Sequence, residues 1–501
     1  MNDTQALGDD GASRDERDRL DAASGGTQHA LAELPTPEAF ARVCAADPEL
    51  ALSCRFWNGG IRFGIGEAWL GFAVTDGEIV PKLPAAAGAG IITVTGSPEA
   101  WAPLLEVPQP RLARLVPMMA LGVLDNSETE QLTLWQYLPA LERAAELLRE
   151  LAGAAISGAA GEADETAGAH SARPSAVAPA ANGGDPPSGA GAKDATGDRS
   201  AAHVSSLGAP QARHDSPVGR FVHVDLVDPQ GRSADYRIYY EEAGSGIPLL
   251  AQHTAGAQSL QWRHLFECTD ITDRFRLIAY DLPYHGKSLP PQGVPWWHEQ
   301  YRLEGAFLRQ VPLALSAALD LDRPAFVGCS VGGLLALDLA LRHPEAFRAV
   351  ISVGGALHVG GDWEGFAAAS HPAVSSNAKA RLMESLCGPD APTPFVKEVS
   401  HVYSAAWPPA FWGDLYYYMV EFDLRERAGE IDTGQVGVHI LNGEHDWSGL
   451  AEYGQAAHEA IAGSTFAVMD GIGHFGMQEH PEAFIPHLLD VLDRIEADST
   501  R

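Results

Sequence analysis

The C-terminal part of this chain is predicted to fold as an α/β domain with a mostly parallel sheet, and the N-terminal part as a small α+β domain. Three observations predict this. Between residues 219 and 496, short apolar strand-like runs each end in a loop bearing polar residues, and helix-like runs separate them. The pentapeptide Gly328-Cys329-Ser330-Val331-Gly332 stands between the strand-like run Pro324 to Val327 and the helix-like run Leu334 to Leu341. From 153 to 218 the composition falls to Ala, Gly, Ser, Pro and Asp, which divides the chain in two.

Residues 1–33 are polar and are expected to be disordered. In the domain at 34–152, Thr36-Pro37-Glu38 reads as a helix cap with proline in the first turn. Gly60 to Val80 alternates around Asp76-Gly77 as a hairpin does, and Ile91 to Thr95 reads as a strand leading into a helix at Ser97-Pro98-Glu99. A last helix, Leu134 to Leu151, has an apolar stripe at Leu138, Leu141, Ala145, Leu148 and Leu151. The stretch 153–218 buries too little apolar surface to offset its ordering entropy and reads as a disordered tether, so a chain starting near Ser216 is expected to fold alone.

In the domain at 219–496, strands are expected at Ile247 to Ala251, Arg276 to Tyr280, Pro324 to Val327, Ala349 to Val353, Val436 to Leu441 and Thr465 to Met469. The long stretch 355–432 between the fourth and fifth of these reads as a helical cap. It is rich in aromatics: Tyr403, Trp407, Phe411, Trp412, Tyr416, Tyr417 and Tyr418.

With 34 Lys and Arg against 66 Asp and Glu, the net charge of −32 argues against nucleic acid or an anionic membrane as partner. Five scattered cysteines imply no disulfide scaffold. The N-terminus lacks an apolar signal core, and no run of about 18 apolar residues occurs; a cytoplasmic location is expected. No cofactor is expected and no His/Cys spacing matches a zinc site. Nor does an Arg or Lys pattern surround the candidate site residues. The oligomeric state is left open.

A serine hydroxyl becomes a useful nucleophile when a tight strand-to-helix turn pushes it toward a base, and glycines on either side permit that turn. The plainer reading of Ser330 is a turn serine capping the next helix, with Cys329 a small core residue. Two later loops favour the catalytic reading: Asn442-Gly443-Glu444-His445-Asp446 and Gly471-Ile472-Gly473-His474-Phe475, each directly after a predicted strand. The order Ser330, Asp446, His474 is that of a nucleophile, acid and base at the carboxyl ends of strands. Asp423 is the competing acid; His480 reads as a surface helix cap.

These residues, with Gln252-His253-Thr254-Ala255-Gly256 and Asp281-Leu282-Pro283-Tyr284-His285-Gly286-Lys287-Ser288, resemble the α/β-hydrolase superfamily in its capped esterase and C–C hydrolase branch. The resemblance implies an oxyanion hole made by the Val331 amide and one amide of Thr254 or Ala255. It also implies a pocket that includes His253, Cys329, Trp297, Trp407, Trp412, Tyr416 and Phe475, with Trp296 and Tyr301 at its rim. Thr254 stands where glycine is usual, which leaves open which amide serves, and Tyr284 replaces a turn glycine. Residues 34–152 resemble, by layout, the sterol-carrier-protein-2-like domain, so Trp57, Trp69 and Trp101 are weighed as cleft residues or core. Three functions follow: hydrolysis of a carboxylic ester or lactone bearing an apolar or aromatic group; hydrolysis of a C–C bond in a ring-fission product; and a slow-turnover ligand receptor.

Overall fold

The computed structural model describes residues 34–84, 88–106, 109–110, 112–161 and 218–499. The expected disordered leader (1–33) and most of the expected tether (162–217) lie outside them.

The first domain opens with α1 (Pro37–Ala46) and α2 (Pro48–Cys54). Thr36 and Asp47 cap them by accepting hydrogen bonds from Ala39 N (3.2 Å) and Leu50 N (2.7 Å). Strands β1 (Gly59–Ile65), β2 (Ala68–Thr75), β3 (Glu78–Val80) and β4 (Ile91–Gly96) form a sheet of order β3-β2-β1-β4, in which β4 alone runs parallel to its neighbour. The Asp76-Gly77 hairpin is present, and Gly66-Glu67 makes a second one, which the spacing of apolar residues does not announce. Helices α3 (Pro98–Leu105), α4 (Leu115–Ala120) and α5 (Gln131–Gly161) follow. Helix α5 breaks at Tyr137 (φ −117°, ψ 20°), just before Pro139, which has no N–H to continue the ladder. Trp57 and Trp101 are core residues, fully buried and donating to Gly90 O and Gly64 O, while Trp69 lies under the Arg62 guanidinium.

The second domain is built on an eight-stranded sheet of order β12-β11-β10-β9-β7-β8-β6-β5. Its strands are β5 (Val218–Val227), β6 (Ser233–Ala243), β7 (Ile247–Gln252), β8 (Phe275–Tyr280), β9 (Ala325–Cys329), β10 (Ala349–Val353), β11 (Gly437–Gly443) and β12 (Thr465–Met469). All pairs are parallel except β5–β6 and β6–β8. The β5–β6 hairpin is not among the expected strands because its alternating His223, Asp225, Asp235 and Arg237 face water at the sheet edge and give no apolar run. Helix α6 (Gly305–Ala318) packs on β5, and α7 (Val331–Arg342) packs on β9 and β10. Between β10 and β11 lie α8 (Ser376–Glu384), α9 (Thr393–Ser404), α10 (Pro408–Tyr416) and a π-helical turn, Tyr417–Glu421; α11 (Ala451–Ala460) and α12 (Pro481–Ser499) complete the domain.

The small domain docks on this helical cap, in contrast to the expected independent tethering. Arg381 of α8 pairs with Glu49 and Glu146 of the small domain, both at 3.4 Å, and Arg114 Nη1 donates to Glu384 O at 3.1 Å. The Trp135 ring meets Phe366 at 5.7 Å. Scattered surface charges and one aromatic carry no periodicity that would announce a partner, so a composition break that marks a boundary says nothing about contact across it.

Candidate active site

The turn after β9 is as tight as the glycines require. A Cβ on Gly328 would stand 2.3 Å from Gly332 O, and one on Gly333 2.5 Å from Val353 O. Ser330 between them holds φ 58°, ψ −115°, a region that costs a side-chain-bearing residue ~1–3 kcal/mol. Its amide is tied to Val353 O at 2.9 Å, and its side chain makes no cap to α7. The hydroxyl is thus not engaged in the plainer role of helix capping.

The candidate acid and base follow the ends of β11 and β12. His474 Nδ1 lies 2.6 Å from Asp446 Oδ2, both side chains being almost wholly buried. The other carboxylate oxygen accepts from Ser448 N (2.9 Å) and Gly449 N (2.8 Å), which fixes the plane of the group. Gly354, directly after the carbonyl that holds Ser330, has no room for a side chain: a Cβ there would lie 3.0 Å from Asp446 Oδ2 and 3.3 Å from His474 Nδ1. Strand β10 therefore ends between the serine turn and the His–Asp pair. The buried Glu479 carboxylate holds the histidine loop by accepting the amides of Gly473, Phe475 and Gly388, and Leu386 O accepts His474 N at 2.8 Å. Asp423 is elsewhere, exposed and clamped by Arg425 at 2.6 Å. His480 accepts from Ala483 N at the start of α12.

Of the two candidate oxyanion amides, Thr254 N is already donated to Gln261 Oε1 (2.9 Å), and the next, Gly256 N, to Asp414 Oδ2 (2.7 Å). Ala255 N has no acceptor among the described residues, and Val331 N, at the first position of α7, has none within the helix. The Thr254 hydroxyl instead bonds Tyr403 of the cap.

The pocket expectations need correction. His253 faces inward: its Nδ1 donates to Thr254 O (2.8 Å) and its Nε2 accepts from Leu282 N (3.0 Å), which fixes a neutral tautomer that burial also favours. Cys329 is buried with its thiol on His474 O at 3.1 Å, so it supports the histidine loop. Trp412 stacks on Trp363 at 4.8 Å and Tyr416 meets the same ring edge-on, both packing within the cap. Trp297 is 65% exposed. Trp407 joins Tyr284, Trp296 and Tyr301 around an open groove of about 430 Å³. Phe475 stands beside the site, its ring 4.9 Å from His474 and 5.6 Å from Tyr403. The aromatic that sequence reasoning misjudged is Tyr418. Its hydroxyl lies 3.0 Å from Ser448 Oγ, beside Ser330 and Asp446, and burial raises its pKa. Tyr418 lies in the π-helical turn, two residues after Tyr416 and so on the opposite side of the helix.

Tyr284 holds φ 70° in the turn where glycine is usual. Asp281 keeps that turn closed by accepting Ser259 N and Lys287 N, each at 2.7 Å. Among the described residues no group of three His, Cys, Asp or Glu converges as a metal ligand set, and no helix is long and apolar enough to cross a membrane.

A sheet of this order, with a serine turn and a His–Asp pair at adjacent strand ends, defines the α/β-hydrolase class, and residues 247–397 match the family model described as the alpha/beta hydrolase fold. The domain at 218–499 has the α/β-hydrolase fold, and the chain is a hydrolase. It is 27% identical over 289 residues to an uncharacterized protein of Mycobacterium tuberculosis, an alignment covering 52% of this chain and 78% of that one. It is 26% identical over 128 residues to 2-hydroxymuconate semialdehyde hydrolase of a Pseudomonas species, covering 25% of this chain and 42% of that one. A thermophilic esterase from Thermogutta terrifontis superposes with a TM-score of 0.48 at 17% identity, covering 55% of this chain and 99% of that one.

Proposed function

We propose that the enzyme cleaves a carboxylic ester or lactone through an acyl-enzyme on Ser330. The observation that carries this reading is the 2.6 Å contact of His474 Nδ1 with Asp446, beside a serine whose backbone is strained and whose hydroxyl caps nothing. With Nδ1 committed to Asp446, the lone pair of His474 lies on Nε2, and this nitrogen takes the Ser330 proton as the oxygen attacks the carbonyl. Asp446 holds the ring in that tautomer and stabilises the imidazolium. The amides of Val331 and Ala255 receive the developing oxyanion; each such donor contributes about 3 kcal/mol to the transition state. His474 then protonates the departing alkoxide, and water attacks the acyl-enzyme by the reverse sequence.

Hydrolysis of a C–C bond in a ring-fission product is the second reading, supported by the similarity to the semialdehyde hydrolase. Steady-state assays of wild type and Ser330→Ala on short p-nitrophenyl esters and on a ring-fission product test both. The ester reading expects turnover of the esters with a loss of ~10⁴ or more in the variant. Turnover of the ring-fission product alone would favour the second.

A further inference from the structure

Lys379, on α8 of the cap, is only 5% exposed, and its ammonium has no hydrogen-bond partner among the described residues. A buried ammonium without a counter-charge is strongly disfavoured, so such groups are ordinarily paired. The charge that acts on Lys379 is that of Asp414 on α10. Asp414 is fully buried and already committed: its Oδ2 accepts from Gly256 N (2.7 Å) and lies 2.8 Å from His285 Nε2, and its Oδ1 accepts from Tyr301 Oη (3.1 Å).

The state of His285 follows from its partners. Its Nδ1 is 2.9 Å from Pro283 O, and a carbonyl oxygen can only accept, so Nδ1 carries a hydrogen. Nε2 and Asp414 then share one further proton. Whichever of the two holds it, the pair as a whole is neutral, and Asp414 does not balance the charge of Lys379.

The unbalanced cation lies inside the cap, one aromatic ring away from the oxyanion loop. Its Nζ is 5.8 Å from the centroid of the Phe411 ring. Phe411 rests directly on the oxyanion loop, where a Cβ on Gly256 would stand 2.7 Å from Phe411 Cβ. Just beyond the C-terminus of α8, Leu386 O holds the amide of His474. Lys379 is thus separated from the oxyanion loop by the Phe411 ring, and its helix ends two residues before the carbonyl that holds the histidine loop.

We propose that Lys379 is an anion subsite of the catalytic pocket and that the substrate is an ester or lactone carrying a carboxylate remote from the scissile bond. The proposal rests on the hydrolase reading of Ser330. Burial draws the ammonium down to about 8, and a bound carboxylate stabilises its charged form. A charge-assisted hydrogen bond of this kind is worth at least ~10-fold in binding.

The test compares kcat/KM for the p-nitrophenyl monoester of glutarate with that for p-nitrophenyl hexanoate, its uncharged counterpart of similar length. Wild type is expected to favour the anionic ester, and Lys379→Met to lower the anionic-to-neutral ratio at least ~10-fold, mainly through KM. Lys379→Gln, which keeps a polar end, is the second variant if the first does not fold. An unchanged ratio overturns the proposal. Calorimetric titration of glutarate into Ser330→Ala, with and without Lys379→Met, separates the two readings. If neither ester is turned over, the hydrolase reading fails, and the subsite stands or falls on whether Lys379→Met weakens glutarate binding.

Discussion

Ser330 pairs a positive-φ backbone with a hydroxyl that caps no helix, and His474 pairs a fixed tautomer with a carboxylate held by two amides. Under this arrangement Asp446→Asn, which misplaces the imidazole tautomer, is expected to lower kcat on the order of 10⁴, while Asp423→Asn, at an exposed Arg425 pair, changes it less than about threefold. Steady-state kinetics of the two variants check this, and the reverse ranking would move the acid to the cap. A second residue governs stability. Glu142 of α5 accepts from Val116 N at 3.2 Å, and burial raises its carboxyl to about 7 despite the nearby Arg381 and Arg114. A carboxyl that holds its proton more tightly folded than unfolded favours the fold at low pH. That contribution is lost as pH rises from the usual glutamate range through about 7, and the loss is complete above it. Glu142→Gln keeps the acceptor and removes the charge. Relative to wild type it should gain on the order of 2 kcal/mol between pH 5 and pH 8, a figure discounted for the partial exposure of the side chain. Thermal melts of both proteins at the two pH values decide it, and a parallel shift of the pair would show that Glu142 is not the titrating group.

At the scale of elements, most runs readable from sequence were those whose pattern arises from burial on both faces, β8 to β11 and the helix after Ser330, while the half-exposed edge strand β12 was readable from its apolar composition. The β5–β6 hairpin escaped because one of its faces is wet. The strained turn at Ser330 and the two loops that bring Asp446 and His474 into contact were readable because glycine spacing and chain order are properties of the sequence itself. The pocket was not, since whether an aromatic meets substrate or another ring depends on cap packing, as Trp412 on Trp363 shows. Lys379 was invisible for the same reason: one lysine in an amphipathic helix gives no sign of which way it points. The docking of the small domain on α8 was equally hidden, and it alters the expectation for a chain starting at Ser216. Such a chain would leave Arg381 without Glu49 and Glu146, and Phe366 without Trp135. It is expected to melt several degrees lower and to show a raised KM with kcat nearly retained, because Glu49, Glu146 and Trp135 brace the cap and do not touch the serine turn. Calorimetry and ester kinetics of the shortened chain measure both. An unchanged Tm and KM would mean that these three side chains contribute nothing to the cap.

For the whole molecule, the central claim is that an α/β-hydrolase sheet brings Ser330, His474 and Asp446 together as a nucleophile, base and acid under a cap braced by a second domain. A fluorophosphonate reacts only with a serine whose proton is taken by a correctly placed base, so it reports the assembled site without assuming any substrate. The measurement is intact-mass analysis of the labelled full-length protein, followed by peptide mapping, for wild type and His474→Ala. One label per chain, located on Ser330 and slowed by ~10³ or more in His474→Ala, is the predicted result. A label on any other residue, or labelling of Ser330 at the same rate without His474, would contradict the account.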